Sequence, residues 1–126
     1  MDVRFDALDF YEGSPSTIFA PGRIVRVPAG IKEGQALFTL LSEALAFPDS
    51  FGANWHAFRD CINDLDWLAD TQVTIVHEDV PLEPNERDAR IYLDVLCEAI
   101  VEIERKVPLS VWFAESSRPQ IQWLAR

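Results

Sequence analysis

Three short runs rich in β-branched residues, each parted from the next by helical sequence, limit what this chain can fold into more than any other feature. "GRIVRVPAG" supplies Ile24, Val25 and Val27 before a proline and a glycine. "TQVTIVHEDVP" supplies Val73, Ile75 and Val76, with Pro81 as its stop, and "VPLSVWFAE" completes the series. Between the first two lies "KEGQALFTLLSEALAFP". Its Ala36, Leu37, Leu40, Leu41, Ala44 and Leu45 recur at helical spacing. Pro48 is expected to end that helix, because the residue before a proline is pushed out of the helical region. The longest helix is predicted in "EPNERDARIYLDVLCEAIVEIERK", with Ile91, Tyr92, Val95, Leu96, Ala99, Ile100 and Ile103 as its buried stripe. Strands that alternate with helices imply parallel pairing through crossovers. The expected architecture is therefore a small α/β fold, a three-stranded parallel sheet packed with helices.

The two ends are less determined. Within residues 1–22, Val3, Phe5, Ala7 and Asp9 share one side of an extended chain, and Phe10, Tyr11, Ile18 and Phe19 add apolar area. An extra N-terminal edge strand or a covering arm both fit, ahead of a domain spanning 23–126. The tail "PQIQWLAR" alternates through Ile121 and Trp123, which allows pairing at a sheet edge or packing under a helix. A length of 126 residues suits one core.

Charge narrows the partners. With 21 acidic against 11 basic side chains, the net charge is −10. That balance opposes nucleic acid, whose phosphates need Lys and Arg, and opposes anionic membranes. It favours a basic protein, which acidic patches steer and orient. The opening "MDVRFDALDFYEG" lacks the basic start and apolar run of a signal peptide. The two cysteines, Cys61 and Cys97, each fall on the apolar side of a predicted helix, as reduced core thiols do. A cytoplasmic address is expected, and a monomer when free.

One stretch carries more than packing. In "FPDSFGANWHAFRDCINDLDWL", residues 47–68, a proline-led turn runs into a short helix whose two faces differ. At 100° per residue, Ala57, Phe58, Cys61 and Ile62 fill one arc. Trp55, His56, Arg59, Asp60 and Asn63 fill the other, with Trp55 at the border and hence half-buried. Asn54 is placed to cap the helix, and Gly52 is placed to supply a positive φ. Arg59 is expected to pair with a neighbouring carboxylate, a contact of little energetic weight.

Catalytic patterns are sparse. His56 and Asp60 stand four apart on one helix and could share a proton or a metal, but a metal site wants more ligands, and the thiols point the other way. His77 ends a strand and reads as a structural histidine. The glycines are scattered, so no phosphate loop forms, and no serine sits in a nucleophile elbow. The expectation is a binding protein with no metal, no cofactor and no catalytic residues.

The run "LSEALAFPDSFGANWHAFRDCIND" resembles the barstar family, intracellular inhibitors of secreted ribonucleases of the barnase kind. The matching parts are a helix leading to Pro48, the turn Asp49-Ser50-Phe51, Gly52 and Asn54, and the pair Asp60-Cys61. Fainter likeness runs from about Arg23 through the "VLCEA" of the long helix. The resemblance implies a helix and turn that plug a nuclease active site. Asp60 matches the family's dominant contact, and Glu98 a supporting acid. Trp55, Asn54, Ser50, Arg59, Asn63 and Asp64 fall on other interface positions. His56 stands where the family has a second acid, Arg59 where it has a tryptophan, and Ser50 where it has a tyrosine. The implied function is an inhibitor or immunity protein against a ribonuclease or related toxin. Two alternatives stay open: a module for a non-ribonuclease toxin or regulatory partner, and a small enzyme using His56 and Asp60.

Overall fold

The computed structural model of the chain describes residues 4–18 and 20–126. Val3 and Phe19 lie outside the described residues. Four strands, β1 (Asp9–Tyr11), β2 (Arg23–Val27), β3 (Val73–His77) and β4 (Leu109–Ala114), form one sheet in the order β1-β4-β3-β2. All three pairings are parallel, with Val25 opposite Ile75, Ile75 opposite Val111, and Phe10 opposite Phe113. Parallel neighbours require crossovers, and the helices supply them. α1 (Gly34–Ala44) and α2 (Trp55–Asp64) lie between β2 and β3, and α3 (Glu86–Ile100) lies between β3 and β4. α4 (Arg118–Leu124) follows β4.

β3 is buried at every position, as a central strand covered on both faces must be. Its last residue, His77, is fully enclosed. The ring stacks on Phe113 with centroids 4.0 Å apart. Nδ1 lies 3.1 Å from the Trp112 carbonyl, which can only accept, so Nδ1 carries the proton. Nε2 then accepts from the Tyr92 hydroxyl at 2.7 Å. With both nitrogens satisfied and the ring shut away from solvent, burial holds His77 neutral and drives its pKa down to about 3.

The expected extra edge strand is present as β1, which is only three residues long. Phe5 does not extend towards it. It is buried in a turn, at a φ of 67°. The tail forms α4 rather than an edge strand. Ile121 and Leu124, three apart, are buried together, whereas Trp123 is exposed, so the true period there is helical.

Two boundaries and one buried stripe also shift. α1 closes at Ala44 through its own backbone, before Pro48 can act. Ala46 takes a left-handed φ of 54°, the Phe47 N–H donates to Ser42 O at 2.9 Å, and Ala46 N–H donates to Glu43 O. This is a Schellman end with alanine where glycine is usual. The buried stripe of α1 is Leu37, Phe38 and Leu41, continuing to Leu45; Ala36 lies exposed, with Leu40 and Ala44 half-exposed. Phe38 outcompetes the alanines because a large ring buries more apolar area. α3 stops at Ile100, so Ile103 falls past the helical phase and is 94% exposed.

Candidate functional site

Aromatic packing sets the position of α2. The turn before it folds back through Phe51 N–H to Pro48 O at 2.9 Å, which aims the Phe51 ring at the core. Phe51 meets Phe47 and Phe38 edge-on, at 5.0 and 5.8 Å. Edge-to-face contacts of this kind add to burial and fix ring orientation. Ser50 is exposed on this turn. Gly52 has no positive φ. Ala53 takes that role at 51°, and its carbonyl accepts from Gln35 Nε2 at 3.1 Å. An added Cβ at Gly52 would lie 3.2 Å from Asn54 Nδ2, so glycine there serves the cap by staying small.

Asn54 caps α2, its Oδ1 accepting from Ala57 N–H at 2.8 Å. Its amide also donates to Gly52 O at 3.4 Å, which occupies the side chain locally. Trp55 is half-buried, as its angle requires. Its ring sits 5.0 Å from Phe38 and 6.5 Å from Tyr92. Phe58, Cys61 and Ile62 face the core. Phe58 reaches Tyr92 at 5.9 Å, and Tyr92 is the residue that bonds His77. The floor of α2 is thus joined to the sheet centre through one buried tyrosine.

The outward face carries the charges. His56 Nε2 lies 3.7 Å from Asp60 Oδ2, with both side chains largely in solvent. Arg59 Nη2 lies 3.4 Å from Glu98 Oε2, joining α2 to α3. Glu98 therefore already has a cation, and Asp60, 69% exposed, is the carboxylate most open to a partner in this pairing scheme. Asn63 and Asp64 continue the face towards the helix end. Trp55, His56, Arg59, Asp60, Asn63, Asp64 and Glu98 come together on one surface; Ser50 and Asn54 lie on the turn that leads into it.

Sequence reasoning missed Arg105. Its guanidinium donates to Ile62 O and Asn63 O of α2, to Ala99 O of α3, and to Val107 O. These include last-turn carbonyls that lack helical donors, at the negative end of each helix dipole. Only its basic type near two helix ends could have flagged it, because its partners are backbone atoms. Burial lowers its pKa from the usual arginine value.

The thiols are unpaired. Cys61 is buried and raised by desolvation, and Cys97, half-buried, is pushed up to about 12 by the same cause. Among the described residues no group of three or more His, Cys, Asp or Glu is placed to hold a metal ion. No helix among them is long and apolar enough to cross a membrane. The His56–Asp60 pair lies largely open to solvent.

The family model described as Barstar (barnase inhibitor) matches residues 25–114, more than half of the chain. No curated protein and no solved structure gives a significant match. The matched span contains every candidate residue from Ser50 to Glu98, whereas β1 and α4 lie outside it.

Proposed function

The chain belongs to the barstar family, and from that premise we propose that it inhibits a ribonuclease of the barnase kind, or a related toxin, by covering its active site. The observation that carries this reading is Asp60, an exposed carboxylate on a helix whose other face is locked into the core. A nuclease binds phosphate with Arg and Lys, and a fixed carboxylate can occupy that place. Trp55 offers a rigid apolar contact beside it, at little cost in side-chain entropy. Glu98 and the turn at Ser50 widen the footprint, and an interface of about 800 Å² per partner is sufficient. The protein acts by occlusion, without turnover, metal or cofactor. Its net charge of −10 speeds encounter with a basic enzyme. Its two unpaired thiols suit a reducing cytoplasm.

Arg59 puts a positive charge on the same face, which favours a second reading: a target that differs from barnase and carries an acid opposite Arg59. Titration of this protein into RNA-cleavage assays of barnase and a panel of basic ribonucleases tests the proposal. Stoichiometric loss of cleavage by at least one of them is expected. Full cleavage by all of them at a large excess of this protein would move the reading to a non-ribonuclease target.

A further inference from the structure

The two acids assigned to recognition stand on different helices, Asp60 on α2 and Glu98 on α3, so their spacing depends on how those helices are fixed to each other. Upstream of both, the rings of Phe58 and Tyr92 meet at 5.9 Å. Apolar packing of this kind is non-directional and sets an angle less sharply than hydrogen bonds do. The pairing of Arg59 with Glu98 adds little, because it is half in solvent.

Arg105 supplies directional bonds at the C-terminal ends. Nη2 donates to Ile62 O at 3.3 Å and Nη1 to Ala99 O at 2.8 Å, with Asn63 O within reach of Nη1 at 3.5 Å. Ile62 and Asn63 lie two and three residues beyond Asp60, and Ala99 directly follows Glu98. One planar guanidinium therefore grips the backbone beside both acids. Its own place is set by the turn after α3. There Arg105 N–H donates to Glu102 O at 3.4 Å, and Glu104 N–H donates to Glu102 Oε1 at 3.1 Å. Nε donates to Val107 O at 2.6 Å, which ties the fork to the chain entering β4. Arg105 is half-buried, and its charge-assisted bonds are costly to lose. A lysine is a point donor and cannot span the same carbonyls.

We propose that Arg105 is a positioning residue for recognition: it holds the ends of α2 and α3 at a fixed angle and so sets the spacing at which Asp60 and Glu98 meet the target's cations. This rests on the reading that both acids bind a basic enzyme.

The test compares Arg105→Met, which removes the fork, with Arg105→Lys, which keeps the charge. Charge alone predicts that Arg105→Met makes the chain more negative and tightens binding to a basic ribonuclease. Positioning predicts the opposite sign. Affinity for the ribonuclease that the unaltered chain inhibits should fall about tenfold in Arg105→Met and about threefold in Arg105→Lys, through faster dissociation. In a Glu98→Ala background Arg105→Met should cost less than about twofold, because a single acid has no spacing to keep. Residual dipolar couplings of the free ¹⁵N-labelled chain should show both helices intact and the α2–α3 angle changed in Arg105→Met. If that variant does not fold, Arg105→Lys carries both measurements. An unchanged angle, or affinity that is unchanged or raised in a folded variant, would overturn the proposal. A changed angle in a chain that inhibits no ribonuclease would keep the clamp and discard the inhibitor reading. Inhibition that Arg105→Met leaves intact would do the reverse.

Discussion

The two faces of α2 are built on opposite terms. Inward, Phe58, Cys61 and Ile62 join an apolar and aromatic cluster in which the polar groups of Tyr92 and His77 satisfy each other. Outward, Arg59 pairs loosely with Glu98 at 3.4 Å and His56 stands 3.7 Å from Asp60, contacts open to solvent and worth little to stability. The lesson is a separation of tasks. Substitutions beneath the helix should cost folding, and substitutions above it should cost recognition.

Phe58→Ala breaks the inner face and carries the largest effect on folding. A fully buried ring in contact with Phe38, Phe47, Trp55 and Tyr92 is lost, and stability should fall by about 3–5 kcal/mol. Urea unfolding measures this. A loss below about 1 kcal/mol would show that the inner face is not the platform described.

Acid attacks the same platform through His77. The unfolded chain binds a proton at this histidine below its ordinary value of 6.5, whereas the folded chain holds it neutral down to about 3. The contribution is therefore complete above pH 6.5 and is lost as pH falls towards 3, on the order of 5 kcal/mol in total. Unfolding midpoints from pH 7.5 to 4 should decline, and the His77 ring resonances should not titrate near pH 6. Titration there would place the ring in water.

On the outer face, Arg59→Ala should change stability by less than about 1 kcal/mol. It releases Glu98 and makes the chain more negative, so association with a basic ribonuclease should accelerate, most strongly at low salt. Stopped-flow rates at two salt concentrations read this, and slower association would point to an acid on the target opposite Arg59. The smallest effect lies at the joint before α2. Ala46→Gly removes the penalty of a left-handed alanine, and thermal unfolding should show a gain of about 0.5–1 kcal/mol with binding unaltered.

Sequence reading recovers the inner face better than the outer one. Strand runs are visible because burial imposes a period on residue type, and the two arcs of α2 follow from angle alone. The expected α3 stripe holds at Tyr92, Val95, Leu96 and Ala99, while Ile91 and Ile100 are only half-buried and Ala89 and Leu93 are buried in addition. Errors arise where the period is ambiguous. In α1 the alanines imitate a stripe that Phe38 redirects, and in the tail Ile121 and Trp123 imitate a strand that Leu124 turns into a helix. Arg105 bonds backbone atoms, which leave no mark in residue types. The pairing of Arg59 with Glu98 depends on how α2 and α3 pack, so the sequence offers an arginine wanting a carboxylate without saying which. Asp60 and Glu98 stand out only through family likeness, since an exposed acid is ordinary by itself.

The central claim is that Asp60 serves recognition and not folding, and Asp60→Ala tests it when one preparation is measured two ways. Its urea midpoint should match that of the unaltered chain within about 0.5 kcal/mol, as for an uninvolved surface site. Its affinity for the ribonuclease that the unaltered chain inhibits should fall by about 3–5 kcal/mol, because a desolvated cation of the enzyme loses its partner. An unchanged affinity, or a loss of stability in place of a loss of affinity, would contradict the account.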